Sequence, residues 1–421
     1  MAEVMGVAHK RLRHLCGLAK AYRGINQEQL ARRLGRHPDR LVPGNGNPKL
    51  DYLLALSRVL DWPVSLIVSF IGAEAPDETQ HAAPSDGRDF AALESASRES
   101  HAEGRYQEAV TLARQAFAVA GTPDERVIAC IREASGNDGL GRYAEALAAE
   151  QRGLAETPTS GELRRQLESN LANGYYTLWS LPEAESLSLK LVNWYRAHPA
   201  STYKDRVTDA FSLYVHGNTL RRMATMGPAE SAVRARDAKT ALKKSRRLYV
   251  KIGREFKQDW CDGIANTITG ALIHVEVLLG KRLPHEALQE IENGLDRVTD
   301  PADPLVGDWL ESCAWWCIFG CCIARQHLSD ETVLQHYMAM FTDKADVIAR
   351  RLDNWALRER VFSMEYASYE RVERLTGRAA LLTLDADDLE ALVGVMGRFP
   401  KFGPTGMKLF EAHAATMKLA V

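Results

Sequence analysis

What this chain lacks narrows its function before any motif is read. No apolar run approaches the roughly 18 residues that a membrane-crossing helix needs; the longest, CAWWCIFGCCIA at 313–324, has 12. No membrane association is expected. The opening MAEVMGVAHKRLRHL carries its charges after its apolar residues and has no small-residue cleavage site, so it does not read as a secretory leader. The cysteines number seven, an odd count at irregular spacing in a long chain, which argues against a disulfide framework. A cytoplasmic protein with reduced thiols is expected. Equally missing are a phosphate loop, a serine-nucleophile elbow, a kinase signature and the HExxH spacing of zinc hydrolases. Neither an enzyme nor a cofactor is expected.

Alternation of apolar and polar residues long enough to build a sheet is absent too, while helical periodicity runs almost throughout. The expected fold is all-α. At 421 residues, with 46% hydrophobic and 26% charged residues, the chain has the composition of an ordinary globular protein long enough for more than one domain. Its net charge of −2 conceals an asymmetry: residues 1–72 hold 11 Lys/Arg against 5 Asp/Glu, whereas the remainder holds 42 against 50. A basic head on an acidic body suits a head that meets a polyanion, because neutralising phosphates releases counterions.

Within the head, residues 8–22 repeat apolar positions at helical spacing and Gly24 ends them. Asn26 followed by Gln29 forms a capping box ahead of a helix that turns Leu30, Ala31 and Leu34 inward and Arg32 and Arg33 outward, with Gly35 as its stop. Pro38 then opens a third helix of five to seven residues, limited by Pro43. Leu50 to Leu60 forms a longer helix burying Leu53, Leu54, Leu56, Val59 and Leu60; Trp62-Pro63 closes it and VSLIVSFI supplies the last. The segment GAEAPDETQHAAPSDGR, ending at 88, reads as a linker.

The pattern Gln27, Leu30-Ala31, Leu34-Gly35, Leu41, Pro48 and LLALSRVLDWP resembles the Cro/repressor type of helix-turn-helix, over about residues 8–70. The resemblance implies double-stranded DNA as a partner, with the third helix entering the major groove. Gln27 would contact a phosphate, and His37, Asp39 and Arg40 would face base edges, Arg40 forking onto a guanine. Arg32, Arg33 and Arg36 would contact phosphates, fixing register without reading sequence. This third helix is shorter by nearly one turn than is usual in that family.

The body carries an internal repeat. GRYQEAV at 104–110 returns as GRYAEAL at 141–147, a period of 37, with fainter copies in SLPEAES at 180–186 and KRLPHEALQEI at 281–291. A turn, an aromatic or leucine, and Glu-Ala two residues later resembles the tetratricopeptide repeat, whose alanine lets paired helices approach closely. Between Ala184 and Ala287 the spacing stretches, enough for two diverged or long-helix hairpins. The organisation expected is a helix-turn-helix domain at 1–72, a linker at 73–88 and a tetratricopeptide-like α-solenoid at 89–421.

Three further features have competing readings. Residues 221–257 hold 12 Lys/Arg against three acids: a solvated outer face, a second DNA contact, or a dock for an acidic partner. Cys313, Cys317 and Cys321 share one helix face but sit among aromatics, so burial is expected and no metal. Asn173, Asn218 and Asn266 recur 45 and 48 residues apart, and a carboxamide offers the donor and acceptor that a peptide backbone needs. They are candidate contacts to a peptide or protein ligand; taken singly, each is better explained as a helix cap or an exposed polar site.

The layout is similar to bacterial regulators whose repeat domain binds a short signalling peptide. That resemblance implies a homodimeric, ligand-controlled transcription regulator. The alternative is a non-enzymatic interaction scaffold whose vestigial head does not bind DNA.

Overall fold

The computed structural model describes residues 25–43, 48–60, 88–227, 230–295, 307–377 and 382–419, with isolated residues among the first 71 and Val298. It is all-helical: among the described residues there are 17 α-helices, one short 3-10 turn and no strand. No helix among them is long and apolar enough to cross a membrane. Residues 1–84 with 383–421 cluster as one unit, and residues 85–382 as another.

In the first unit, α1 (Gln27–Arg33) begins with the expected capping box: the Gln29 amide N–H donates to Asn26 Oδ1 at 2.9 Å and the Asn26 N–H to Gln29 Oε1 at 3.0 Å. Gly35 at φ +62° ends it, a left-handed conformation that costs glycine little. The expected third helix is reduced to one 3-10 turn, Pro38–Arg40. Pro38 lacks an N–H and the side chain of His37 caps the turn, so nothing propagates the helix beyond Leu41. Next comes α2 (Leu50–Leu60). It buries Tyr52, Leu56, Val59 and Leu60 against Leu12, Leu15, Leu30, Leu34 and Ile67. Leu54 is 39% exposed, not buried as expected, and Leu53 is half-buried: the wet face of α2 carries Leu50 and Leu54 at i, i+4 while Tyr52 takes the core position. The unit also holds α16 (Ala386–Arg398), capped by Asp385, and α17 (Gly403–Leu419). Gly24, residues 44–47, Trp62-Pro63 and all of the expected linker but Arg88 lie outside the described residues.

The second unit runs α3 (Phe90–Ala102), α4 (Tyr106–Val119), α5 (Pro123–Gly139), α6 (Tyr143–Ala155), α7 (Gly161–Thr177), α8 (Leu181–Ala197), α9 (Tyr203–Ala224), α10 (Ser231–Phe256), α11 (Trp260–Leu278), α12 (Pro284–Leu295), α13 (Gly307–His327), α14 (Glu331–Arg351) and α15 (Trp355–Thr376). Each helix packs on its sequence neighbour, and the odd-numbered helices α3 to α15 also touch one another in succession. The four repeated sequences open α4, α6, α8 and α12, and their alanines, Ala109, Ala146, Ala184 and Ala287, are all buried at helix crossings. The stretched interval holds one long hairpin, α9 with α10, and then α11. Cys313, Cys317 and Cys321 are core residues of α13, and Cys322 beside them is half-buried. Burial raises the first three thiols above their ordinary value, Cys317 and Cys321 most, as expected of packing cysteines.

One packing feature is not suggested by the repeat. The start of α15 returns to the beginning of the unit: the Ala356 N–H donates to Tyr143 Oη at 3.1 Å, Trp355 lies against Gly141, and Trp179 Nε1 donates to Glu359 at 3.5 Å. The odd-numbered helices therefore curl until the last meets the turns that follow α5 and α7.

Candidate functional site

Two surfaces hold the residues singled out by sequence. On the first, Arg32, Arg33, His37, Asp39 and Arg40 are exposed around α1 and the 3-10 turn, while Arg36 is half-buried with its guanidinium 5.3 Å from the Tyr52 ring. None of the four arginines makes an ion pair among the described residues. His37 Nδ1 lies 3.5 Å from Asp39, both side chains well exposed, a contact too wet to weigh much. Gln27 is committed locally: its amide donates to the Pro38 carbonyl at 2.9 Å, tying the start of α1 to the turn. The turn is thus braced from both sides, by Gln27 and by the His37 cap, with Asp39 and Arg40 projecting from it.

The second surface is the odd-numbered helices of the repeat unit, which carry all three candidate asparagines. Asn173 on α7 is half-buried and makes no hydrogen bond among the described residues. Asn218 on α9 is buried with both ends of its carboxamide in use: Nδ2 donates to the Tyr214 carbonyl at 3.2 Å, and Oδ1 accepts from Arg221 Nε at 3.2 Å. Asn266 on α11 donates to Ser312 Oγ at 2.8 Å. Asn173 is therefore the one left with its full bonding capacity. The sequence reading passed over Asn137, 36 residues before Asn173 and hence one repeat earlier. Asn137 is fully buried with neither carboxamide atom bonded, an arrangement that costs about 1–3 kcal/mol unless a further partner is present. Extending the asparagine series upstream by one period would have found it.

Two clusters of charge in the repeat unit were also missed. Asp138 on α5, Glu150 on α6, and Asp308 and Glu311 on α13 influence one another, and none forms an ion pair among the described residues. Asp138 is exposed yet crowded by surrounding protein, and this partial desolvation, with the Glu311 charge, pushes its pKa up to about 6. Glu150 is buried with an unbonded Oε2, and burial, then Asp138, pushes it up to about 8. At neutral pH Glu150 holds its proton. The second cluster corrects the reading of residues 221–257 as a solvated face: Arg221 and Arg222 belong to the last turn of α9 and are buried. The exposed basic face belongs to α10 alone, with Arg236, Lys243, Arg246, Arg247, Lys251 and Arg254 outward. The opposite face of α10 buries Leu242, Tyr249 and Ile252, while Val233 near its start is exposed.

His274 lies beneath Arg221, its Nδ1 3.1 Å from Nη1. Burial, then the Arg221 charge, holds its pKa well below the usual imidazole value, so it is neutral and accepts through Nδ1. No group of three or more His, Cys, Asp or Glu among the described residues is arranged to hold a metal ion. No protein-family model matches the chain, and no curated protein matches it either.

Proposed function

We propose that the chain is a DNA-binding transcription regulator with a helix-turn-helix head and a tetratricopeptide-like solenoid that senses a ligand. The observation that carries the reading is the set of cations on the head: Arg32, Arg33 and Arg40 are exposed around a braced turn and lack carboxylate partners among the described residues. Solvated, uncompensated guanidiniums on a basic domain are what phosphate neutralisation requires. Asp39 and Arg40 head the short turn, the place from which side chains reach base edges in helix-turn-helix proteins. Within the repeat unit, half-buried Asn173 offers an unused carboxamide to a ligand with peptide-like donors and acceptors. A homodimer would set two heads one helical turn of DNA apart, and ligand-dependent curvature of the repeats would reset that spacing.

The test uses the full-length chain titrated with mixed-sequence duplex at two salt concentrations. Three phosphate contacts per head, doubled in a dimer, predict an affinity that falls about 10³-fold between 50 and 200 mM salt. Arg32→Ala should weaken binding to all sequences alike and reduce the salt slope by about one, whereas Arg40→Ala should relax sequence preference at one position. If neither substitution changes binding, the head does not act on DNA. The chain then reads as an interaction scaffold, and the exposed basic face of α10 becomes its docking surface for an acidic partner.

A further inference from the structure

We propose that Arg221, Arg222 and Arg360 form a binding site for the oxyanion of a small ligand, a carboxylate or a phosphate, in the repeat unit. The inference deepens the sensor reading above and rests on it.

The three guanidinium side chains come from two distant helices and are only 4%, 7% and 5% exposed. Buried cations are stable only when compensated, and here compensation is incomplete. Glu359 pairs with Arg360, and also accepts from Ser363 Oγ at 2.8 Å and from Trp179 Nε1 at 3.5 Å. Arg221 and Arg222 make no ion pair among the described residues. Their bonds go to neutral acceptors instead: Arg221 to Asn218 Oδ1 and His274 Nδ1, Arg222 to the Tyr176 carbonyl at 2.8 Å. Neutral His274 adds no charge of either sign. Among the described residues, Arg360 is thus the one member of the three that is paired with a carboxylate.

Aromatic rings hold the three groups in place without neutralising them. Arg222 lies 3.6 Å from the Tyr176 ring centre and 4.4 Å from that of Trp179; Arg360 lies 3.9 Å from the same Trp179 ring; Arg221 lies 4.6 Å from that of Phe319. Stacking leaves the in-plane N–H groups free, the fork geometry that grips an oxyanion in two bonds. None of the nitrogens of these three arginines is both buried and unbonded, so the donors without a protein partner look onto accessible space.

The stacked arginines are also held at a cost to the backbone. In the two turns most alike in sequence, the residue before the N-cap is glycine in the left-handed region, Gly104 at φ +76° and Gly141 at φ +68°. In the third turn that position is Trp179 at φ +63°. A side chain there is strained, and a tryptophan held in that conformation is a pointer to use. Its use here is to carry Arg222 and Arg360 and to orient Glu359.

The test takes full-length protein in a chloride buffer and adds inorganic phosphate or citrate at constant ionic strength, following heat of binding and melting temperature. Saturable binding with a rise in melting temperature is expected for at least one anion, and Arg222→Met should weaken it at least tenfold. Arg221→Gln is the second variant, in case Arg222→Met does not fold, and should weaken binding likewise. The double change Arg32→Ala, Arg33→Ala should leave the anion response intact, which separates it from phosphate attraction by the head. A response to phosphate alone assigns a phosphate-bearing ligand, and one to citrate alone a carboxylate. Absence of saturable binding with both anions, or undiminished binding in the folded arginine variants, overturns the site. The assay contains no DNA, so it succeeds or fails independently of DNA binding.

Discussion

The melting temperature of this protein is expected to fall as pH rises from 5 to 8, against the common trend in which ionised carboxylates add stability. The cause is the cluster of Asp138, Glu150, Asp308 and Glu311, which has no cation paired with it among the described residues. Glu150 carries a pKa raised from 4.5 to about 8, and Asp138 one raised from 3.8 to about 6. A carboxyl with a raised folded-state pKa binds its proton more tightly in the folded chain than in the unfolded one. Its stabilising effect is complete below the unfolded value and is lost as pH climbs through the folded value. The affected window therefore runs from about 4 up to about 8, with Asp138 titrating in its lower part and Glu150 in its upper part. For buried Glu150 the full swing is on the order of 5 kcal/mol. Asp138 retains accessible surface, and its contribution is smaller. Glu150→Gln keeps the shape and removes the titration, so the variant should be more stable than the natural chain at pH 8 and show a flatter profile. Melting curves at half-unit pH steps decide it: a natural chain that gains stability up to pH 8, or a Glu150→Gln profile of unchanged slope, refutes the account.

Gly141→Ala should destabilise the repeat unit by roughly 3 kcal/mol or more, while Gly104→Ala should cost only about 1 kcal/mol. Both glycines sit in the left-handed region before a repeat's second helix, so the backbone penalty is shared. They differ in surroundings. A Cβ on Gly104 would meet nothing within 4 Å, whereas one on Gly141 would fall 2.4 Å from Trp355 Cδ1 and 2.7 Å from its Cγ. Trp355 is the first residue of α15, and the next amide donates to Tyr143 Oη, so displacing the indole also breaks that bond. The difference between the two substitutions in denaturant unfolding measures how firmly α15 docks on the turn between α5 and α6. Equal costs would mean that the docking contributes nothing.

How far each feature could be read beforehand follows from its range along the chain. Helix starts and stops depend on bonds spanning three or four residues, and the Asn26–Gln29 box and the Gly35 stop were legible for that reason. So were the buried alanines of the repeat, because a helix crossing needs a small residue wherever the pattern returns. The third helix was overestimated: Pro43 alone limited the expectation, whereas Pro38 and the His37 cap close the turn after three residues. Leu54 was misplaced because an apolar side chain on a half-buried helix reveals its type and not the direction it faces.

Local pattern thus determined that this chain is helical, where its helices begin, and which repeated positions pack. Only the tertiary structure decided that α15 returns to the turns after α5 and α7, that Arg221 and Arg222 lie inside while the basic face of α10 lies outside, and that four carboxyls from three helices influence one another. The physical reason is one of range. Hydrogen-bonded turns and apolar stripes are properties of neighbouring residues, whereas the burial of a charge depends on whatever covers it, and here the cover comes from residues more than a hundred positions away.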